Sequence, residues 1–306
     1  MASLRDIRNR INSVKNTQQV TRAMKMVAAA KMRRAQERIF RLRPYAFRVR
    51  QIINHLKGHV DPAAHPLFQP RETVGGVLIV IVTADRGLAG AFNTNVIKKA
   101  EETIAQFEEQ RGNGNLFLLC VGRKGHDYFA KRGYQLLGDF RGVFDRLSFD
   151  VAQDVVRIMS EGYLEGRWDR VLVVYNEFKN TISQNRIAEP FLPIPAEQFL
   201  TPVMESALAQ EPEMPHGQAV DYIFEPEAER ILEALVPRFL NYQLWRVLLE
   251  SNAAEQGARM VAMDNATSNA EELLRDLRLK YNRARQSAIT TEIIEITSGA
   301  NALAQA

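Results

Sequence analysis

A glycine-containing loop in the middle of the chain is the first candidate for chemistry. The loop reads TADRGLAGAFN and follows an apolar, β-branched run. Loops at the carboxyl ends of buried strands bind phosphates in doubly wound folds. However, the patterns GxxxxGK[ST] and GxGxxG are both absent, and the later glycines of RGNGN precede a strand instead of following one. We therefore favour a tight turn, in which Asp85 and Arg86 pair locally, over a nucleotide site.

The histidines give a second candidate, a metal site. His55, His59 and His65 lie in or beside a proline-rich loop that also contains Asp61. Their spacing matches no familiar metal site, and solvated loop histidines are far commoner. The other two histidines are isolated along the chain. We favour solvated histidines and predict no metal site.

The single cysteine, Cys120, lies within an apolar strand pattern, which favours a position in the core over a nucleophile. One cysteine cannot form an intramolecular disulfide or a multi-cysteine metal site, and it fits a reducing compartment. The motifs G-x-S-x-G and H-E-x-x-H are absent, and no pair of carboxylates is organised for acid–base work. We therefore predict no catalytic residues and no cofactor.

The elements that position the loop read as an α/β domain. Apolar β-branched runs alternate with helical segments, which favours an open, mostly parallel, Rossmann-like sheet. After a turn at Asn180, the last strand is expected to run antiparallel. The predicted strands are Val74–Thr83, Leu116–Val121, Val171–Tyr175 and Ile182–Phe191. The predicted helices cover Thr94–Gln110, Lys124–Lys131 and Phe149–Leu164.

The C-terminal stretch from Glu227 to about Ile296 predicts one long helix. Apolar or small residues recur at steps of three and four, as in a coiled-coil seam. About 70 residues would form a helix of roughly 105 Å, so an ordinary domain cannot cover it and it needs a partner. The seam positions are Ala270, Leu273 or Leu274, Leu277, Tyr281, Ala284 and Ala288.

The N-terminal stretch Leu4–Leu42 is the predicted partner. It contains neither proline nor glycine, and Pro44 is expected to end or kink the helix. We predict an antiparallel coiled coil of the two terminal helices. The N-terminal seam positions are Leu4, Ile7, Ile11, Val14, Thr21, Met24, Ala28, Ala35, Ile39 and Leu42.

The predicted fold class is therefore α/β, with a long antiparallel coiled coil of N- and C-terminal helices plus a Rossmann-like open α/β domain. The expected boundaries are 1–58 for the N-terminal helix, 59–225 for the α/β domain and 226–306 for the C-terminal helix. The stretch Pro193–Pro226 contains six prolines and predicts a surface loop. Pro237 predicts a kink or a later start of the last helix.

Composition fits a soluble protein, with 46% hydrophobic and 25% charged residues. The longest apolar run, Val77–Val82, is far too short to span a bilayer. The charged N-terminus indicates neither a secretory signal nor a convincing transit peptide.

Charge is unevenly distributed along the chain. Residues 1–57 contain 15 lysines and arginines against Asp6 and Glu37, a net charge of +13, whereas the whole chain carries only +4. The remainder therefore carries −9. So basic a helix suggests an acidic partner, which could be nucleic acid, an anionic membrane or an acidic protein surface. A solvated helix face is the plainer alternative.

Three segments carry a resemblance to the gamma subunit of the rotary ATP synthase. They are IRNRINSVKNTQQVTRAMKMVAAAKMRRAQ, TADRGLAGAFN and EQGARMVAMDNATSNAEELLRDLRLKYNRARQSAITTEIIEITSGANAL. The similarity covers essentially the whole chain and is weak only between Gly138 and Met214. On these segments the chain is identified as a member of that family.

The resemblance implies a non-catalytic rotor subunit that couples proton flow to ATP synthesis or hydrolysis. In that family the two terminal helices form a shaft inside a ring of three alpha and three beta subunits. The α/β domain sits on the ring of c subunits and is held by epsilon. The implied location is peripheral, on the cytoplasmic side of the cell membrane, with no nucleic acid and no homo-oligomer.

The resemblance also implies which residues make contacts. Those matching contact or coupling positions for the beta subunit are Met24, Lys25, Met26, Glu255, Arg259, Arg285, Gln286 and Thr290. Those matching the c-ring contact are Tyr222, Phe224 and Glu225, and Phe224 replaces a tyrosine found in some relatives. Coiled-coil packing or solvated surface is the alternative for each. The regulatory cysteine pair of chloroplast members is missing, which argues against thiol control.

Two functions from other classes stay open. One is a basic coiled-coil protein that binds nucleic acid or an anionic membrane, which predicts salt-dependent binding without a ring partner. The other is an α/β nucleotide-binding enzyme, which predicts stabilisation of the isolated chain by nucleotide.

Overall fold

The computed structural model describes residues 4–56, 65–181, 183–194 and 227–304, and it describes no side chains for 43–56, 228 and 302–304. Two compact units divide the chain. Residues 1–28 and 260–306 form the coiled-coil unit, and residues 29–259 form the α/β unit. The boundaries expected from the sequence at 58 and 226 stay a prediction.

Both terminal helices are longer than their prolines suggested. Helix α1 covers Leu4–Leu56 and does not end at Pro44, and the last helix, α6, covers Ala228–Ala304 and starts before Pro237. The expected end at Pro44 and the expected later start at Pro237 are therefore wrong, and the alternative of a kink at each proline stays a prediction. A proline inside a helix costs about 3 kcal/mol. Around Pro237 the burial of Val236 and Leu240 in the core offsets that cost.

The coiled-coil unit confirms the antiparallel pairing of the two chain ends. Three contacts join α1 to α6, and the partner's number falls as the residue number rises. They join Arg8 to Tyr281, Thr21 to Thr267 and Lys25 to Asp264. Ala28, Ala270 and Leu277 are buried as the seam predicts, and Leu274 is the seam residue because Leu273 is exposed.

The α/β unit contains a five-stranded sheet in the order β3-β2-β1-β4-β5. The strands are β1 Val77–Val82, β2 Leu116–Val121, β3 Gln135–Leu136, β4 Arg170–Phe178 and β5 Gln184–Leu192. All pairs are parallel except β4 with β5, which is antiparallel as predicted. Two-residue β3 was missed because so short a strand has no readable period.

The remaining helices are α2 Phe92–Ile104, α3 Glu108–Gly112, α4 Arg123–Ala130 and α5 Phe149–Leu164. Core residues cover both faces of the sheet. One face packs against α5 and the first turns of α6, around the fully buried Trp168 and Tyr163, and the other packs against α2 and α4. Among the described helices, none is long and apolar enough to cross a membrane.

Strand β1 begins three residues later than predicted, at Val77 instead of Val74. The backbone N–H groups of Gly75 and Gly76 donate to the Asp169 carboxylate, at 2.7 and 3.0 Å, instead of joining the ladder. At Gly76 a Cβ would lie 2.4 Å from the Arg167 carbonyl oxygen, so the close approach requires glycine.

Candidate functional site

The loop between β1 and α2 presents one strained, exposed leucine. Leu88 has φ 63° and is 69% exposed. The left-handed region is unfavourable for a bulky residue and persists only where the surroundings impose it. The residues that impose this conformation therefore bear on function.

Arg259 of α6 holds that loop from inside the α/β unit. Its Nη1 donates to the Gly87 carbonyl oxygen at 2.6 Å, and its Nη2 donates to Glu255 Oε1 at 2.5 Å. Both side chains are buried. Burial raises the pKa of Glu255, and the hydrogen bond and charge of Arg259 oppose that shift. Arg259 and Glu255, which the family resemblance selects, thus form a buried ion pair, and Arg259 bonds to the residue before Leu88.

Small residues let α6 approach the loop. Ala254 packs with Ala84, Ala89 and Phe92 in one buried cluster. The Ala254 carbonyl oxygen also accepts a hydrogen bond from Gln184 Nε2 at 2.9 Å. A larger residue at position 254 would push the helix away from the loop.

Asp85 does not pair with Arg86, so the predicted local pair is wrong. The Asp85 carboxylate accepts backbone N–H groups of Arg123, Gly142 and Phe144 at 2.7–2.9 Å. Arg86 instead forms an exposed pair with Asp145. One of these three donors is the first residue of α4 and two come from the segment after β3, and pairing with Arg86 would leave all three without this acceptor.

Gly122 and Gly125 allow the chain to pack closely at the same edge of the sheet. Gly122, with φ 104°, lies so near β1 that a Cβ would fall 2.0 Å from the Thr83 carbonyl oxygen. The Gly125 N–H donates to the Thr83 hydroxyl at 2.8 Å. In doubly wound folds, backbone N–H groups at this edge and at a helix N-terminus bind phosphate. Here the chain's own Asp85 and Thr83 accept the N–H groups of Arg123 and Gly125, and the preference for a turn over a nucleotide site stays a prediction.

In the coiled-coil unit, Lys25 pairs with Asp264 at 2.5 Å, and the two side chains are 40% and 54% exposed. Met24 is half-buried at the seam, whereas Met26 is 64% exposed. Exposed ion pairs contribute only about 0–1 kcal/mol and exchange partners readily. Lys25 is therefore available to another carboxylate.

Farther along α6, Arg285, Gln286 and Thr290 are all exposed. The Thr290 hydroxyl donates to the Gln286 carbonyl oxygen of its own helix at 2.9 Å. Every residue from 285 to 301 is exposed, including Ile289, Ile293, Ile294 and Ile296. This end of α6 therefore exposes four isoleucines among polar residues, and no described residue covers them.

Several predicted residues lie outside the described part of the chain or are inert within it. Tyr222, Phe224 and Glu225 lie outside it, as do His59 and Asp61 and the side chain of His55. His65 Nδ1 accepts the Leu67 N–H at 3.3 Å. Within the described ranges, no group of three or more His, Cys, Asp or Glu residues could hold a metal. Cys120 is buried as predicted, and burial raises its pKa to about 12, so it is a core residue.

Sequence reasoning missed a second buried group of charged and polar side chains, around Arg246. This arginine lies on the buried face of α6, with Glu189 of β5 and Tyr175 of β4 as its partners. A charged residue at a position where the helical period demands an apolar one was the available signal. The partner could not be read from the sequence, because β5 lies about 57 residues earlier.

Comparison with known proteins gives consistent matches along the chain. A family model described as ATP synthase matches residues 3–303. The chain is 62% identical over 304 residues to the ATP synthase gamma chain of Salinibacter ruber, covering 99% of each protein. It is 53% identical over 306 residues to that of Chloroherpeton thalassium, covering 100% of this chain and 99% of the relative.

Solved structures agree with the fold. The chain resembles a chain of the Euglena gracilis mitochondrial ATP synthase with a TM-score of 0.62 at 21% identity, covering 98% of this chain and 94% of that one. It also resembles a chain of the Tetrahymena thermophila mitochondrial ATP synthase central stalk and c-ring, with a TM-score of 0.54 at 25% identity over 81% and 99%. Because the chain is 62% identical to a curated relative over 99% of both proteins, it belongs to the family of ATP synthase gamma chains.

Proposed function

We propose that this chain is the rotor subunit of the central stalk of a proton-translocating ATP synthase, coupling proton flow by rotation to ATP synthesis and hydrolysis. The observation that carries the proposal is the exposed end of α6, residues 285–301 with four exposed isoleucines. Ile289, Ile293 and Ile296 share one face of this helix, and an exposed apolar stripe of this kind needs a partner to cover it. A ring of three alpha and three beta subunits provides one.

The chain acts mechanically and is not itself catalytic. Asp85 and Thr83 already accept the backbone donors at the ligand edge of the sheet. The reactions belong to the alpha and beta subunits, and the rotor changes their conformations by contacting them differently as it turns. Such differential contact is what coupling between sites requires.

Arg259 and Glu255 serve this function by positioning the loop. Arg259 donates to the Gly87 carbonyl and is itself held by Glu255, and the neighbouring Leu88 is exposed. The loop can then push against an acidic lever of the beta subunit without collapsing onto α6. Both residues are positioning residues, because their own atoms are buried.

Lys25, Met24 and Met26 contact the lever directly. Lys25 leaves Asp264 and binds a carboxylate of the lever, and little free energy is lost because the Lys25–Asp264 pair is exposed. Met26 supplies an exposed, flexible apolar surface. Arg285, Gln286 and Thr290 contact the beta subunit farther along α6. Tyr222, Phe224 and Glu225 contact the c-ring, beside epsilon, so the subunit is peripheral to the cytoplasmic side of the cell membrane.

The test is assembly with alpha and beta subunits. The intact chain is compared with one truncated after Met263, which removes the exposed end and its coiled-coil contacts. We expect the intact chain to co-purify with alpha and beta in a complex that hydrolyses ATP, and the truncated chain to assemble weakly or to hydrolyse without proton pumping.

A matched control keeps the chain length and reverses one charge, as in Glu229→Lys, an exposed site at the start of α6. This variant should assemble normally. If the intact chain does not bind alpha and beta but binds nucleic acid or anionic vesicles with a steep salt dependence, the basic α1 has the other function and the proposal is wrong.

A further inference from the structure

A buried cluster of ionisable groups joins the sheet to α6 within the α/β unit. We call it the Glu250 cluster; its members are Tyr175 and Glu177 of β4, Glu189 of β5, and Arg246 and Glu250 of α6. Each is at most 8% exposed. Buried charges normally occur in balanced pairs, because an uncompensated one is costly. This cluster has three carboxyl groups and one guanidinium.

Of the three carboxylates, Glu189 forms the closest hydrogen bonds with the Arg246 guanidinium. Arg246 Nη2 donates to both Glu189 oxygens at 2.8 and 2.9 Å. Its Nη1 donates to the Tyr175 hydroxyl at 3.1 Å and reaches Glu250 only at 3.4 Å. Its Nε donates to Gln243. Glu250 therefore receives the weakest share of the positive charge.

Glu177 adds negative charge that has little compensation. Its Oε2 accepts Asn185 Nδ2 at 3.0 Å. Its Oε1 is buried and has no hydrogen-bond partner among the described residues. An ionised Glu250 would therefore place a further buried negative charge close to Glu177 and Glu189.

Among the described side chains, Arg246 is the cation that acts on Glu250. Its electrostatic partners are Arg246 on its own helix, Glu177 and Tyr175 on β4, and Glu189 on β5. Helix α1 packs the apolar Ile39 in a cluster with Leu249 and Ala253. Burial raises the pKa of Glu250 to about 7; Arg246 acts in the opposite direction, and Glu177 and Glu189 raise it.

From this arrangement we propose that Glu250 keeps a proton near neutral pH while α6 is docked on β4 and β5, and that its loss in alkaline medium weakens this attachment. The protonated carboxyl lets three acidic groups share one guanidinium. Deprotonation creates repulsion between α6 and the sheet at the point where Arg246 joins them. The α/β unit thus contains a proton-dependent clamp.

The sign of the effect follows from linkage. A carboxyl whose pKa is raised on folding binds more protons in the folded than in the unfolded state, so the free energy of unfolding falls as pH rises. The contribution is fully present below the ordinary value of 4.5 and is lost as pH rises through about 7. The surface carboxylate Asp139, whose pKa is lowered by hydrogen bonds from Arg141, acts in the opposite direction at lower pH.

The experiment uses the purified full chain, followed by thermal unfolding between about pH 5.5 and about pH 8.5 and by the infrared band of a protonated carboxyl over the same range. We expect the unfolding temperature to fall as pH rises to about 7 and to level off above it, and the band to lose half of its intensity at about pH 7. Glu250→Gln should remove the part of the band with this midpoint and flatten the pH dependence of the unfolding temperature. The exposed Glu229→Gln is the matched control and should retain both.

A second variant keeps the proposal testable if Glu250→Gln folds poorly. Glu177→Gln removes a neighbouring charge and leaves Glu250 in place, so the midpoint should fall by about one pH unit. The proposal is overturned if the wild-type chain has no protonated-carboxyl band at about pH 6, if Glu250→Gln keeps the wild-type pH dependence, or if Glu177→Gln leaves the midpoint unchanged.

Discussion

Two regions of α6 use polar side chains in opposite ways. Between residues 243 and 259, arginines and glutamates are buried and bond to other elements of the α/β unit, through Arg246 and Arg259. Between 285 and 301, every side chain is exposed, and the threonine hydroxyls bond to their own helix. Substitutions in the first region should therefore act on folding, at Arg259 with a further effect on coupling, and substitutions in the second should act on binding alone.

The largest effect is expected at Arg246. Replacing it by methionine leaves Glu189 and its neighbours buried without a cation, and breaking one side of a buried pair costs about 3–5 kcal/mol. Chemical denaturation of the full chain measures the loss. Arg238→Met, at an exposed position of the same helix, should change stability by less than about 0.5 kcal/mol. Similar losses of stability in the two variants would mean that burial does not decide how much an arginine of α6 contributes to stability.

The next effect extends the comparison to the loop edge of the sheet. Asp85→Ala leaves the N–H groups of Arg123, Gly142 and Phe144 without their acceptor, and unsatisfied buried donors cost about 1–3 kcal/mol. We expect the free energy of unfolding to fall by about 2–4 kcal/mol. Asp145→Ala removes only the exposed pair with Arg86 and should cost less than about 1 kcal/mol.

A smaller effect on folding, with a larger one on coupling, is expected at Arg259. Lysine keeps the charge but cannot donate in two directions to Gly87 and Glu255 with the same planar group. Stability should fall by about 1–2 kcal/mol. In the assembled complex, proton pumping per ATP hydrolysed should fall because the Leu88 loop is less firmly held. Equal losses of pumping and hydrolysis would mean that Arg259 acts only through folding.

The elements were predictable where a period or a buried run was present. Three-four spacing correctly placed Ala28, Ala35 and Leu277 in the interior, and the β-branched run correctly marked β1. Spacing could not choose between Leu273 and Leu274, because adjacent residues fit the same seam. The choice depends on the angle at which α1 approaches in the coiled-coil unit.

The contacts of the site were less predictable, because they join distant parts of the chain. Nothing near Asp85 in sequence reveals that its acceptor oxygens face backbone groups 38 to 59 residues later. The left-handed Leu88 was equally hidden, since glycine is the usual signal for positive φ. The family resemblance selected Arg259 and Glu255, whereas only the structure shows that Arg259 donates to both the Gly87 carbonyl and Glu255.

The smallest effect on folding, and the sharpest test of the comparison, concerns the exposed end of α6. Ile293 and Ile294 are 55% and 57% exposed. Serine and isoleucine have nearly equal helix propensity, so Ile293→Ser with Ile294→Ser should change the stability of the purified chain by less than about 0.5 kcal/mol. If the alpha and beta ring buries these side chains, each loses about 1.5–3 kcal/mol of transfer free energy in the complex. Dissociation of the double variant from the ring should then be faster, while Leu279→Ser, exposed outside this segment, serves as the comparison. A double variant that assembles and pumps like the wild type would mean that the isoleucines stay in water. The two regions of α6 would then differ only in how deeply the chain itself buries their side chains.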